Sequence, residues 1–495
     1  MNTVIVGGEA GLARSVARSF AASGSSSRLA DTDADTDADI NPLPEAFAGV
    51  EALVLLSGLE AGAGRTGGER LERAARGTYA ALRAALSEPS LRLVYIASHL
   101  RLFARHPPSW NVTPVWRPAP DTIPDDLVPY LAEISAREAA RTRPDVRTVC
   151  VRFGDDLLAE TGRVGDFLAS AARTPGETGR SGTPFWTVLH AGSRPAAAPT
   201  FAPGFAPDLV PWKVVLSPQS PIPSRPIRRV VLFGAGGPVG AAAAAELAGA
   251  GYQLRLTDAR PLADIARENE PQFPGAPVAH PLPAPHETGV VDVRDADAVA
   301  QACIGMDAVV NLSVLRADPA RVFHINTVGA YHICQAAVRC GIRRVVQTGP
   351  QQATLDASVG YWGDYGLTGD APSRPGLHLY AHSKYLGQEV CRVFAERHGL
   401  EIPCLLFDVF VNPDRSGALY PFSITFADAG RALRAALEVP SLPSPYEEMN
   451  LCADVPHGVF SPRRAREVLG FVPSDAMMPL WTNADAALPA HKGEE

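Results

Sequence analysis

The sequence predicts an α/β protein with two parallel sheets in tandem, one in each half of its 495 residues. In both halves, short apolar runs alternate with amphipathic segments of helical length. This alternation requires crossover connections, which cover a parallel sheet with helices on both faces. An apolar run also leads directly into a glycine turn in each half, at Gly7 and at Gly234. The predicted architecture is two tandem Rossmann-like, doubly wound parallel-sheet domains.

The two halves share a layout around these turns. Seventeen positions separate Gly7 from Gly24, which ends the first predicted helix, and the same number separates Gly234 from Gly251. Such self-similarity indicates a tandem duplication. The domains are expected at residues 1–193 and 227–495, joined by a proline-rich linker at 194–226 that holds nine prolines.

Strands are predicted where apolar residues run together. These runs are residues 3–6, 52–56, 91–96 and 148–153 in the first half, and 230–233, 253–257, 308–312, 344–347 and 402–409 in the second. The second strand of the first half is expected to be lost in the acidic run from Asp31 to Asp39. We interpret that run as a solvated loop and not a calcium site, because Thr36 and Pro42 stand where a glycine and a glutamate are needed. A proline-rich stretch at 261–285 is expected to be a surface insertion.

Composition narrows the function. A formal net charge of −8 gives no support for nucleic-acid binding, which needs clustered Lys and Arg. No run of about 18 apolar residues indicates a membrane span, and the N-terminal apolar run does not resemble a signal peptide. The seven cysteines form no CxxC pair and no metal-ligand spacing. We therefore expect free thiols, no metal and a cytoplasmic location.

The glycine turn of the second half is predicted to hold a dinucleotide. Gly234 permits the tight turn, Gly237 lets the backbone approach a pyrophosphate, and Gly240 lets the helix pack close to the strand. Pro238 removes one amide donor but suits the first turn of a helix. Asp258 follows 18 residues after Gly240, where a carboxylate accepts from a ribose hydroxyl and repels a 2′-phosphate. This favours NAD over NADP; the alternative is a tight strand–helix turn with no ligand.

The aligned turn of the first half differs at two of the three glycine positions. Gly7 is followed by Ala10 and Ala13, whose methyl groups narrow the space for a pyrophosphate. Glu9 adds a carboxylate where the phosphates would lie, which repels an anion. We expect the first half to bind no dinucleotide.

A tyrosine and a lysine four residues apart, Tyr380 and Lys384, begin a predicted helix. Residues at i and i+4 share one helix face, and an ammonium group near a phenol favours the phenolate. The pair can therefore take a proton from a substrate hydroxyl while a hydride leaves for a nicotinamide. The alternative is an ordinary exposed helix start, although the chain has only three lysines.

These motifs together resemble the extended (atypical) short-chain dehydrogenase/reductase family, of the NAD-dependent epimerase/dehydratase type. The resemblance covers most of residues 227–480. GAGGPVG at 234–240 is similar to the family's glycine loop, and YAHSK at 380–384 to its active-site pair. The stretch from 343 to 380 looks nearest to uronate dehydrogenases and nucleotide-sugar epimerases. The resemblance implies hydride transfer at a sugar-like carbonyl or alcohol, and a small substrate-lobe extension on each domain.

The resemblance also implies a set of cofactor contacts. Asp292 and Val293 stand where the family contacts adenine, Leu312 where a strand end packs on the cofactor, and Asn326 at the family's helix asparagine. The residues expected to bind NAD are Gly234, Gly237, Pro238, Val239, Gly240, Asp258, Asp292, Val293, Leu312, Asn326, Tyr380 and Lys384.

One position departs from the family. Its fourth strand normally ends in a Ser or Thr that hydrogen-bonds the reacting oxygen, and Pro350 occupies that place here. Thr348 points to the same side of an extended strand and is the predicted catalytic substitute, with Thr354 or an ordered water as alternatives. Losing such a donor typically lowers the rate by about 10²–10³. Catalysis is therefore expected to be slow or absent unless another group substitutes.

The first half shows the reverse pattern. It keeps a serine, Ser98, at the aligned strand end, but Tyr130 has Ile134 in place of a lysine. Without that cation Tyr130 is expected to stay protonated, and Ser98 to be a relic and not a catalyst.

The first half is expected to act as a structural partner. In related proteins the helix of the Tyr–Lys pair and its neighbour form a dimer interface. We hypothesise an intrachain pseudo-dimer, in which residues 71–86 and 130–141 pack against 323–337 and 383–398. Two independent domains on a linker are the alternative, and further homo-oligomerisation stays open.

Three function classes follow from the sequence. The favoured one is an NAD-dependent oxidoreductase acting on a small sugar-like or polyhydroxylated substrate, with no nucleic-acid or membrane partner. The second is an epimerase or dehydratase with tightly bound NAD. The third is a non-catalytic NAD-binding or scaffolding protein, suggested by Pro350.

Overall fold

The computed structural model of the chain describes residues 1–30, 44–59, 64–106, 112–114, 116–173, 186–192, 204–205, 222–223, 225–272, 275–354, 366–369, 371, 373–414, 422–456, 458–474 and 476. Its residues group by contact into two units. The first unit comprises Met1–Val214 with Arg316–Thr327 and Gly376–Glu389; the second comprises Val215–Leu315, Val328–Pro375 and Val390–Glu495. Two short segments of the second half therefore belong to the first unit.

The first unit contains a seven-stranded sheet with the order β2-β1-β3-β4-β5-β6-β7. All neighbours are parallel except β6 and β7. The strands are β1 (Asn2–Val6), β2 (Ser26–Ala30), β3 (Ala52–Leu55), β4 (Leu93–His99), β5 (Arg147–Phe153), β6 (Trp186–Ala191) and β7 (Gly204–Phe205).

Helices of the first unit form two pairs, α1 with α6 and α3 with α4. The connection from β1 to β2 and the one from β3 to β4 run in opposite directions along the sheet. Because both are right-handed, α1 and α3 lie on opposite faces. The helices are α1 (Ala10–Ala22), α2 (Pro44–Phe47), α3 (Gly67–Leu86), α4 (Pro124–Thr142), α5 (Asp155–Leu158) and α6 (Thr161–Arg173).

The second unit contains a seven-stranded parallel sheet with the order β10-β9-β8-β11-β12-β13-β16, and a two-stranded sheet of β14 and β15. The order reverses between β8 and β11, and the crevice at the carboxyl ends of two such strands is where open α/β sheets bind ligands. The strands are β8 (Arg229–Phe233), β9 (Gln253–Asp258), β10 (Glu287–Val290), β11 (Ala308–Asn311), β12 (Arg344–Pro350), β13 (Ile402–Phe407), β14 (Val409–Val411), β15 (Ser423–Thr425) and β16 (Tyr446–Asn450).

The remaining helices connect these strands. A π-helical turn, His324–Val328, precedes α10, and the first half of α11 belongs to the first unit. They are α7 (Pro238–Gly249), α8 (Leu262–Gln272), α9 (Ala296–Cys303), α10 (Gly329–Cys340), α11 (Leu379–His398), α12 (Phe426–Glu438) and α13 (Arg463–Leu469).

The predicted fold class is confirmed, with corrections at two places. A second strand of the first half does form, as β2, but it has mostly exposed or half-buried residues at the sheet edge and so gives no apolar signal. The run 402–409 is two strands, β13 and β14, because the chain leaves one sheet at Asp408 and enters the other. The stretch 261–285 contains α8, and its role as a surface insertion stays a prediction. The acidic run at 31–39 lies outside the described residues.

Candidate functional site

The glycine turn of the second unit joins β8 to α7 at the point where the strand order reverses. Gly234 has a φ of 82°, and a Cβ there would lie 2.6 Å from the backbone carbon of Leu312. A Cβ at Gly240 would lie 2.6 Å from the carbonyl oxygen of Ala235, so α7 packs directly on its own loop. Beside Gly237 the nearest atom would be 3.9 Å away. Close backbone approach requires the first and third glycines, and the second leaves open space.

The N-terminus of α7 faces that open space. Gly237 is its capping residue and Pro238 its first residue. The amides of Val239 and Gly240 follow in the first turn, where N–H groups have no acceptor within the helix and the dipole is positive. This is the arrangement that binds phosphate groups at helix N-termini.

Asp258, at the end of β9, is fixed by the same turn. Its Oδ2 accepts from the amide of Gly236 at 2.9 Å, and its Oδ1 from the amide of Ala259 at 2.8 Å. Burial raises the pKa of Asp258, the two backbone N–H groups lower it, and the carboxylate of Asp292 adds to the increase. Each carboxylate oxygen keeps a further lone pair, which can accept from a ribose hydroxyl.

Asp292 and Val293, predicted to contact adenine, follow β10. Asp292 is paired with Arg294, whose Nη2 donates to Oδ2 at 2.6 Å. The carbonyl of Val293 accepts from Nδ1 of His332 at 2.9 Å, and its side chain lies 2.8 Å from where a Cβ of Gly329 would be. Val293 therefore holds the start of α10 against this segment.

Thr348 is buried near the end of β12, and its hydroxyl already has an acceptor. Oγ1 donates to the carbonyl of Asn311 at 2.7 Å, and the Asn311 amide donates to Oε1 of Gln347 at 2.9 Å. A hydroxyl has one proton, so Thr348 can still accept a hydrogen bond but donates only by giving up Asn311.

The residues after Pro350 were not predicted from the sequence, apart from Thr354. Gln351 is fully buried, and Gln352 donates to Oδ1 of Asp408 at 2.8 Å. Among the described residues, Oε1 of Gln351, Oε1 of Gln352 and Oγ1 of Thr354 have no hydrogen-bond partner. These residues directly follow Pro350, the position that departs from the family pattern, and this is the only sequence signal that could have indicated them.

Tyr380 and Lys384 lie in the first two turns of α11, in the part that belongs to the first unit. The Lys384 side chain is 2% exposed, whereas Tyr380 is half-buried. The guanidinium carbon of Arg316 lies 5.4 Å from the centroid of the Tyr380 ring. A cation on a ring face adds to the positive field around this phenol, and no motif had indicated Arg316.

Asn326 supports the same helix turn from the π-helical turn. Its Nδ2 donates to Oγ of Ser383 at 2.9 Å, and Thr327 donates to the Ser383 carbonyl at 2.8 Å. Ser383 in turn donates to the carbonyl of Tyr380 at 3.0 Å. Within the first unit, Asn326 therefore contacts the Tyr380–Lys384 segment through Ser383.

The aligned serine of the first half lies in a buried ion pair. Ser98, at the end of β4, donates to Oε1 of Glu133 at 2.6 Å. Arg152, at the end of β5, donates to both oxygens of the same carboxylate, at 2.9 and 2.8 Å. All three side chains are buried. The Ser98 hydroxyl is committed to a structural contact.

Tyr130 lies beside a carboxylate, and the residue four positions later is Ile134 and not a lysine. Its hydroxyl donates to Oε2 of Glu389 at 2.7 Å. Burial raises the pKa of Tyr130, and the negative charge of Glu389 raises it further. Tyr130 therefore stays protonated near neutral pH.

The first glycine turn has three residues between β1 and α1, where the second has four between β8 and α7. Gly7 and Gly8 both have positive φ, at 75° and 78°, and Glu9 is the exposed capping residue of α1. Its carboxylate lies at the helix N-terminus, the place at which a phosphate would bind.

No described helix is long and apolar enough to cross a membrane. No group of three or more His, Cys, Asp or Glu side chains there could hold a metal ion. All seven cysteines are described, and all are free thiols.

The chain is similar to known proteins, and its match to a family model lies in the second half. Residues 230–414 match the model of the NAD dependent epimerase/dehydratase family. A uronate dehydrogenase of Pseudomonas putida is 27% identical over 36% of this chain and 59% of its own length. An L-arabinose 1-dehydrogenase (NAD(P)(+)) of Haloferax volcanii is 26% identical over 40% of this chain and 86% of its own length.

Among solved structures, the chain is similar to the uronate dehydrogenase from Agrobacterium tumefaciens. The two are 20% identical, with a TM-score of 0.41, and the match covers 54% of this chain and 92% of that one. The aligned part of this chain spans less than two thirds of the length of the Pseudomonas putida relative, 59%. The predictions of NAD as cofactor and of an enzyme agree with the family description and with the dehydrogenases named above. Residues 230–414 are thus similar to the NAD dependent epimerase/dehydratase family.

Proposed function

We propose that the chain is an NAD-dependent oxidoreductase that transfers a hydride from a sugar-like or polyhydroxylated substrate, with Tyr380 as the proton acceptor. The observation that carries this proposal is the buried Lys384 one helical turn from the half-buried Tyr380. Lysine is almost never buried without a role for its charge. A cation there favours the phenolate, which accepts the substrate proton as the hydride leaves.

The cofactor part of the proposal rests on the turn after β8. The first-turn amides of α7 suit the pyrophosphate, and Asp258 keeps lone pairs for a ribose. Relatives named as uronate and L-arabinose dehydrogenases support a sugar as the substrate.

The proposal needs a donor for the reacting oxygen in place of the missing serine. Thr348 was the predicted substitute, but it donates its proton to Asn311. Thr354 is buried and its hydroxyl has no partner among the described residues. We therefore rank Thr354 before Thr348 for this role.

The test is an assay of NADH formation with a panel of aldoses and uronic acids, for the wild type and for Tyr380→Phe. Net NADH formation that the substitution abolishes supports the dehydrogenase. Interconversion of sugars without net NADH supports the epimerase or dehydratase alternative. NAD binding without turnover, unchanged in Tyr380→Phe, supports the non-catalytic alternative and contradicts the proposal.

We also propose that the first half occupies the place of a dimer partner within the chain. The segments 316–327 and 376–389 cluster with the first half, which supports this arrangement. Residues 227–495 expressed alone are expected to be insoluble or to self-associate, because those segments lose their contacts. If that fragment were soluble, monomeric and fully active, the arrangement would have no role.

A further inference from the structure

We propose that Ser135, in α4 of the first half, is a positioning residue for the Tyr380–Lys384 pair, acting through His382. The inference rests on the function proposed above. Oγ of Ser135 lies 2.9 Å from Nε2 of His382, in the middle of the YAHSK segment. The contact lies within the first unit, and both side chains are buried.

The protonation of His382 decides the direction of this bond. Its Nδ1 lies 3.0 Å from the carbonyl oxygen of Gly376, which only accepts, so Nδ1 carries the hydrogen. Burial lowers the pKa of His382 to about 4, so the ring is neutral near pH 7. Nε2 then holds a lone pair that needs a donor, and Ser135 supplies it.

Ser135 has a second acceptor within reach. Its Oγ lies 3.1 Å from the carbonyl oxygen of Leu131, one turn earlier in α4. If the proton went there, a lone pair of Oγ would face the lone pair of Nε2 in a buried site. The shorter contact to His382 therefore takes the proton, and α4 is tied to the start of α11.

Tyr79 of α3 makes an independent tie to the same segment. Its hydroxyl donates to the carbonyl of Leu377 at 3.0 Å, in a buried position. Its ring lies 5.7 Å from the His382 ring and 5.1 Å from the Phe323 ring. Two helices of the first half thus contact residues on either side of Tyr380.

These contacts are made at the N-terminus of α11, where a helix is least stable. Tyr380 is the second residue of α11, in the turn whose N–H groups lack intrahelical acceptors and which frays most readily. Contacts that hold Leu377 and His382 restrain this turn. They fix the direction of the Tyr380 phenol, whereas Lys384 lies beyond the first turn.

The test compares Ser135→Ala, Ser135→Thr and a matched control, Ser57→Ala. Ser57 is also a buried serine of the first half, and its Oγ lies 2.6 Å from Oγ1 of Thr78. Ser135→Ala is expected to lower kcat about tenfold, with the KM for NAD unchanged. Ser135→Thr, which keeps the hydroxyl, restores kcat, and Ser57→Ala has the wild-type value.

Hydrogen exchange gives a readout that needs no turnover. The amides of residues 379–384 are expected to exchange faster in Ser135→Ala than in the wild type or in Ser57→Ala. Unchanged exchange and unchanged kcat in a folded Ser135→Ala would overturn the inference, as would equal effects in Ser57→Ala.

If Ser135→Ala does not fold, Tyr79→Phe removes the bond to Leu377 and faces the same two criteria. An inactive wild type contradicts the proposed function, while the exchange result still decides the role of Ser135.

Discussion

The carboxyl edges of the two sheets differ in how their buried polar groups are satisfied. After β4 and β5 of the first unit, Ser98, Glu133 and Arg152 bond one another in a closed cluster. After β12 of the second unit, Gln351 and Thr354 hold oxygen atoms with no partner among the described residues. The glycine turns also differ, because an acidic residue, Glu9, is the capping residue of α1, whereas Gly237 is that of α7.

This difference shows where ligands are expected. A buried polar atom without a partner typically lowers stability by about 1–3 kcal/mol, so a group of such atoms marks a place where a bound water or ligand can supply the partner. Where side chains of the protein fill the edge, the strands keep the same geometry and lose the room for a ligand. On this ground we propose ligand binding at the second edge and a structural role for Ser98, Glu133 and Arg152 at the first.

The largest expected effect compares the two tyrosines. Tyr380→Phe is expected to lower kcat by about 10²–10⁴, because it removes the proton acceptor. Tyr130→Phe loses one hydrogen bond, to Glu389, and is expected to lower kcat by no more than about tenfold. Steady-state kinetics with the best substrate of the panel measures both. If Tyr130→Phe were the more damaging change, the assignment of the two halves would be reversed.

The next effect concerns the stability of the closed cluster. Glu133→Gln removes the charge that pairs with the buried Arg152, and the free energy of unfolding is expected to fall by about 3–5 kcal/mol. Urea denaturation measures it, with activity taken well below the transition. A matched control is Glu160→Gln, because Glu160 pairs with Arg163 at the exposed surface and should change stability by less than about 1 kcal/mol.

The activity of the folded Glu133→Gln protein sharpens the comparison further. We expect kcat per folded molecule to stay at the wild-type value, since the first edge has a structural role. If Glu133→Gln kept its stability and lost its turnover, the first edge would take part in catalysis.

The third effect compares the two helix starts. Gly240→Ala puts a methyl group 2.6 Å from the carbonyl oxygen of Ala235, and such overpacking typically shifts free energies by about 1–3 kcal/mol. NAD binding, measured by calorimetry, is expected to weaken by about 10–100-fold. Ala13→Gly, the reverse change in the first half, should leave the affinity and the stoichiometry unchanged. A second equivalent of bound NAD in Ala13→Gly would break the comparison.

The sequence predicted the parts of the fold that depend on local pattern. The buried strands β8 and β11 are continuous apolar runs, and the glycine turn follows from spacing alone. β2 was missed because it lies at the sheet edge with exposed or half-buried side chains. Its serines and arginine therefore give no strand signal. The break at Asp408 was missed because the residues on both sides of it are apolar, although they belong to different sheets.

The candidate site was predictable to a smaller extent, because its details depend on contacts between distant residues. Spacing identified the Tyr380–Lys384 pair, but nothing in the sequence pairs Ser135 with His382, 247 positions away. Thr348 was chosen by strand alternation, and only the structure places its hydroxyl on the Asn311 carbonyl. Pattern locates reactive groups along the chain, whereas tertiary contacts decide which of their protons and lone pairs remain available.

The smallest expected change in stability compares two threonines at the second edge. Thr354→Val removes a buried hydroxyl without a partner among the described residues, so the free energy of unfolding is expected to rise by about 1 kcal/mol. If that hydroxyl donates to the reacting oxygen of the substrate, kcat/KM falls by about 10²–10³, the loss typical of such a donor. Thr348→Val leaves the Asn311 carbonyl without its donor, so its stability should fall by a similar amount with a smaller change in kcat/KM. Denaturation and steady-state kinetics on both variants separate the two threonines. A larger loss of kcat/KM in Thr348→Val would return the donor role to Thr348, because the atom with a free proton would then not be the one the substrate uses.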